Sequence, residues 1–117
     1  MKFLMIHRID EAAMPLAADG TDEEDPAADA ELDAWVEEME ASGVKLHGGR
    51  LRPVRDARIV RVRAGEVLIS DGPFAETKEQ IAGFDVLECA SMEEAIQIAS
   101  RHPTTRMGTC ELRPFWQ

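Results

Sequence analysis

Ile81-Ala82-Gly83-Phe84-Asp85-Val86-Leu87-Glu88-Cys89, followed at once by Ser91-Met92-Glu93-Glu94-Ala95-Ile96-Gln97-Ile98-Ala99, is the stretch that decides the fold class. The first nine residues are apolar enough and short enough to read as a strand. Ser91 with Glu94 is a capping box, in which each residue satisfies a backbone N–H at the helix start. Met92, Ala95, Ile96 and Ala99 then recur at helical spacing and form an apolar stripe. His102-Pro103 stops that helix. Met107–Pro114 reads as a further strand, so the segment is strand, helix, strand.

The same order recurs upstream. Lys2–Ile9 reads as the first strand. Asp10–Asp25 is polar, with Pro15 and Gly20, and reads as an acidic mobile loop. Thr21 with Glu24, and Asp25 before Pro26, are helix-start signals. Leu32, Trp35, Val36 and Met39 share one helical face, and Gly43 is a left-handed C-cap. Val44–Leu51 is the second strand, with Lys45 and His47 on one face. Ala57–Arg63 and Glu66–Ser70 are joined by Ala64-Gly65, a two-residue hairpin turn. The expected fold is therefore α+β: a ferredoxin-like βαβ-hairpin-βαβ sandwich spanning residues 1–117 as one domain. Its helices cover one face of the sheet. The apolar face left open predicts a homodimer, with Trp116 as an aromatic anchor at the interface.

Composition narrows the function classes. The chain has 117 residues and a formal net charge of −10. Thirteen acids and no Lys or Arg lie between Asp10 and Glu40, while Lys45–Arg63 holds seven bases and one acid, Asp56. That basic stretch carries no aromatic residue, and the whole chain repels phosphates, so no nucleic-acid partner is expected. No run approaches the ~20 apolar residues of a membrane span, and Met1–Ile6 lacks a signal-peptide pattern. No membrane association and a cytoplasmic location are the expectations. Cys89 and Cys110 have no close Cys or His and read as reduced thiols. No phosphate-binding glycine loop or nucleophile elbow is present.

The segment richest in polar chemistry is Asp71-Gly72-Pro73-Phe74-Ala75-Glu76-Thr77-Lys78-Glu79. Asp-Gly-Pro makes a tight turn, and Phe74 is placed to pin the loop to the core. Asp71, Glu76, Lys78 and Glu79 crowd charges together, so two carboxylates there can hold one proton for acid–base work. The other reading is architectural: Asp71 caps the turn and Lys78 pairs with a carboxylate. His7, at the end of the first strand, makes a candidate base oriented by Asp71. His7 and His47 can meet across paired strands, but a metal site would need a third ligand, so no metal is assigned. His102, at a helix C-terminus, reads as a structural cation.

DGPFAETKEQIAGFDVLE, residues 71–88, resembles the signature of the YCII-related (DGPF-domain) family. MKFLMIHRIDEA, ASGVKLHGGRLRP, SMEEAIQIASRHP and CELRPFWQ resemble that family's opening strand, second strand, second helix and last strand. The resemblance implies a dimeric α+β barrel in which two ferredoxin-like sheets face each other. It carries over Asp71, Gly72, Pro73, Phe74, Glu76, Lys78 and Glu79 as motif positions. It implies an unassigned activity: binding of a small organic molecule, or acid–base catalysis on one without a cofactor. The alternative is an accessory or interaction module in which the loop is architectural. Some relatives carry a His on the first helix paired with an Asp, whereas Pro26–Ser42 here contains no His.

Overall fold

The structure is a computed structural model and describes residues 1–13, 26–75 and 77–116. In chain order the elements are β1 (Lys2–Ile9), α1 (Pro26–Ala41), β2 (Lys45–Arg50), β3 (Arg58–Arg63), β4 (Glu66–Asp71), β5 (Gln80–Glu88), α2 (Met92–Ser100), α3 (Thr104–Met107) and β6 (Thr109–Pro114). Short 3-10 turns lie at Glu11–Ala13 and Val54–Asp56. The helix-start signals at Thr21, Glu24 and Asp25 lie outside the described residues.

Four strands form one antiparallel sheet in the order β2-β5-β1-β6. β1 and β2 flank β5, and β5 and β6 flank β1, so each βαβ unit crosses over one strand. This is the ferredoxin-like arrangement expected. α1 and α2 cover one face, and the core lies between them and the sheet: Phe3, Met5 and Leu87 from the strands, Trp35 and Met39 from α1, Ala95, Ile98 and Ala99 from α2. Trp35 also donates its indole N–H to the Ile98 carbonyl at 3.1 Å, which ties the two helices together.

Local signals explain the element ends. Gly43 is left-handed (φ 77°), and the amides of Gly43 and Val44 donate to the Glu40 and Met39 carbonyls. Glu94 N–H donates to Ser91 Oγ at 3.2 Å, and Glu94 Oε2 accepts from the Ala90 amide. Ala64 and Gly65 both have positive φ, as a tight hairpin turn between β3 and β4 requires.

Several expectations are corrected. On α2 the buried set is Ala95, Ile98 and Ala99, while Ile96 is exposed. The stripe is centred on the two alanines, which let the helix approach the sheet, and it takes in Ile98 rather than Ile96. The last strand starts later than Met107, because α3 occupies Thr104–Met107. Lys45 and His47 do not share a face. A bulge sets Lys45 opposite Leu87 and His47 opposite Val86, which point to opposite sides. His7 and His47 do not meet, since β5 separates their strands and they lie on opposite faces. Phe74 does not reach the core. It is 78% exposed, with the Arg61 guanidinium 5.7 Å from its ring centroid, because its loop follows a hairpin that forms a sheet of its own.

Candidate functional site

Strand alternation explains why polar residues are buried here. Phe3, Met5 and His7 follow one another at period two on the helix-covered face of β1, and Asp85 and Leu87 do the same on β5. Cys110 lies directly opposite His7 on β6, and Gly83 lies opposite it on β5. Asp85 is the diagonal neighbour, close enough to reach His7. Three neighbouring strands, β5, β1 and β6, thus deliver a carboxylate, an imidazole and a thiol to one point at the edge of the core.

His7 Nε2 lies 2.6 Å from Asp85 Oδ2, with both side chains buried. His7 Nδ1 lies 3.3 Å from Cys110 Sγ. Burial, and then the charge of Asp85, pushes the Cys110 thiol up to about 11, so at neutral pH it carries its proton. The thiol therefore donates to Nδ1. In the neutral ring the proton then sits on Nε2, which donates to Asp85. The other carboxylate oxygen, Oδ1, faces Lys45 Nζ at 3.8 Å, and Lys45 also meets Glu40 at 3.4 Å. Gly48 makes room for the carboxylate, since a Cβ at that position would lie 2.2 Å from Asp85 Oδ1.

His102 completes the cluster. Its ring stacks on His7 at 4.2 Å and meets Trp35 in a T-shaped contact at 4.7 Å. Its Nδ1 accepts the Thr104 amide at 3.1 Å. Burial, with the charge of His7 second, lowers its pKa to about 4. His102 is thus neutral at physiological pH, not the cation expected at a helix end.

His7, His102 and Cys110 offer donor atoms within 4.8 Å of one another. The two rings are stacked and inclined by only 29°, so their lone pairs lie in two nearly parallel planes. They converge on one ion only if a ring rotates and His102 gives up the Thr104 amide. The geometry instead suits proton transfer along Cys110, His7 and Asp85. Beyond Trp35 lies an open groove of about 380 Å³, lined by Glu31, Ala34, Trp35, Glu38, Arg101 and Arg106. Arg101 pairs with Glu38, and Arg106 with Glu31, along it.

The motif residues lie elsewhere. Asp71 ends β4, with its side chain mostly in solvent and 3.6 Å from Arg58 Nε. His7 takes Asp85 as its carboxylate partner, and Asp71 takes Arg58. Gly72 packs against Ala57, where a Cβ would come within 2.6 Å of the Ala57 Cβ, and its amide donates to the Ala57 carbonyl. The Gly72–Pro73 peptide is cis. Gln80 donates to the Ala75 and Thr77 carbonyls, and Thr77 to the Glu79 carbonyl, so the loop is fastened to itself. Glu79 accepts from Thr109 at 2.8 Å, while Phe74 and Lys78 are exposed. Glu76 lies outside the described residues. Sequence reasoning missed Asp85 and Cys110 as partners of His7. The available signal was their position: each falls on the inward register of its strand.

The family model of the YCII-related domain matches residues 1–117. An uncharacterized protein of Rhizobium meliloti (strain 1021) is 40% identical over 97 residues, which span 80% of this chain and 77% of that one. Among solved structures, the chain is similar to 5-chloro-2-hydroxyhydroquinone dehydrochlorinase from Burkholderia phenoliruptrix AC1100 in complex with 2,5-dihydroxybenzoquinone. That likeness has a TM-score of 0.46 at 14% identity and covers 99% of this chain and 94% of that one.

Because His102 is held neutral in the fold, the unfolded chain binds one more proton between about pH 4 and the ordinary histidine value of 6.5. The stability from the neutral ring is full above about 6.5 and is lost as pH falls towards 4. The urea midpoint is expected to drop across that window, and His102→Gln to flatten the drop. An unchanged slope in the variant would assign the proton to another group.

Proposed function

The chain belongs to the YCII-related domain family, and on that footing we propose that it is a homodimeric enzyme doing acid–base chemistry on a small organic molecule without a cofactor. The observation that carries this reading is the buried 2.6 Å contact between His7 and Asp85. Burying an ionisable pair costs on the order of several kcal/mol per ion, and apolar residues of the same volume serve stability as well or better. Proton transfer accounts for the pair where packing does not. His7 is the group that takes and returns a proton at Nδ1. Asp85 holds the ring in register and stabilises the imidazolium, with Lys45 balancing its charge. The Asp71–Glu79 loop is architectural in this reading, as its internal hydrogen bonds and the exposure of Asp71 support.

A second copy of the chain is the partner. Val60 faces Ile69 and Val62 faces Val67 across the β3–β4 hairpin, so all four share one side. These four are apolar and each is more than half exposed, with the Arg58–Asp71 ion pair at the end of the same side. The sheet also carries Leu4, Phe84 and Val86 on the side away from the helices. A second copy covering these surfaces gives the facing-sheet barrel of the family resemblance.

Two measurements test the reading. In D2O, with a panel of small aromatic and carboxylic acids bearing an exchangeable C–H bond, the protein is expected to catalyse deuterium uptake in a member of the panel. His7→Gln should slow that uptake about 100-fold or more. An equal rate in a folded His7→Gln variant would remove His7 from the chemistry. Light scattering on the native chain should give twice the 13.0 kDa protomer mass, and Val62→Lys with Ile69→Lys should return it to one. A native mass of one protomer would contradict the dimer.

A further inference from the structure

The proposed acid–base role leaves Cys110 unexplained. Cys110 Sγ sits on the ring nitrogen that Asp85 does not use, 3.3 Å from His7 Nδ1. It is also partly exposed, whereas His7, Asp85 and His102 are buried. From this arrangement we infer that Cys110 is a nucleophile, with His7 as its base and Asp85 as the positioning residue. Its substrate class is a small alkene conjugated to a carbonyl group. The inference rests on the acid–base reading of His7 and names the atom and the substrate class for it.

The chemistry follows from what the site holds. Sγ forms a bond to the β-carbon as the alkene π bond breaks, and the S–H proton passes to His7 Nδ1. The imidazolium, held by Asp85, then returns that proton to the α-carbon. One S–H adds across one double bond with no oxidant or water, and the reverse step, in which His7 takes the α-proton back as the C–S bond breaks, frees the thiol. Acyl transfer suits the site less well. It leaves an acyl-enzyme that a second nucleophile must open, whereas thiol addition to an alkene frees the enzyme by its own reversal. The Cys110 thiol, pushed up to about 11, is no standing thiolate, so its reactivity at neutral pH depends on proton transfer to His7 during attack. Cys89, which is buried and has its thiol raised by desolvation, is the internal reference.

The test uses the native chain and acrylamide, the amide-conjugated alkene of smallest bulk, with the modified cysteine identified by mass spectrometry of peptides. Cys110 is expected to react at least about tenfold faster than Cys89 at neutral pH. Its rate should level off well below the pH of about 11 at which the thiol itself ionises. His7→Gln should lower it about tenfold or more, and Asp85→Asn should lower it in the same direction. Equal rates at the two cysteines, or a rate rising tenfold per pH unit towards 11, would overturn the inference. So would an unchanged rate in His7→Gln. The pH profile of the unaltered chain decides the matter if a variant does not fold. A failed alkylation test with deuterium exchange still dependent on His7 would overturn the nucleophile alone. Exchange independent of His7 would overturn the acid–base reading itself.

Discussion

A hydrogen bond between two ionisable side chains, His7 and Asp85, sits where a core would ordinarily place two apolar ones. Burial in a low-dielectric interior penalises each group unless the other is present and the remaining polar atoms are met. The surrounding structure meets that requirement atom by atom. Asp85 Oδ2 faces His7, and Oδ1 faces Lys45 and the space that Gly48 leaves open. His7 Nδ1 faces the Cys110 thiol. Among the described residues no buried side-chain N or O atom lacks a hydrogen-bond partner.

The same constraint shapes the neighbours. Burial first, and the neighbouring His7 ring second, lower the pKa of His102 and keep it neutral where it stacks in the core. Its Nδ1 is then free to accept the Thr104 amide and cap the turn into α3. The bulge in β2 turns Lys45 to the inner face, where its charge balances Asp85, and leaves His47 on the other side against Phe84. The sheet order brings this about. β5 and β1 are adjacent only because each βαβ unit skips a strand, and without that crossover Asp85 and His7 would not be neighbours.

Much of this fold was legible because it depends on local rules. Gly43 ends α1, Ala64-Gly65 turns the hairpin and Ser91 with Glu94 starts α2, and each rule acts within a few residues. The site was less legible because it depends on register. His7 could be placed on β1, but its carboxylate was sought in the loop with most charge, at Asp71. The partner it found, Asp85, sits inside an apolar strand 78 residues away in sequence. Read at period two from Leu87, Asp85 falls on the core face, and a lone carboxylate there demands a partner. The Phe74 and Lys45 expectations failed for related reasons. A hairpin standing apart from the main sheet and a one-residue bulge are tertiary facts that local patterns do not encode.

The loop at Asp71–Glu79 thus divides from the chemistry it seemed to promise. It is a tight, self-bonded turn between the hairpin and β5, and β5 is the strand that carries Asp85. The central claim is the direction of proton sharing at His7. Nitrogen-15 NMR of the imidazole in the native chain measures it directly. The account predicts, for the neutral ring, a proton on Nε2 and a bare Nδ1, with that preference lost in Asp85→Asn. A proton on Nδ1 in the native chain would contradict it.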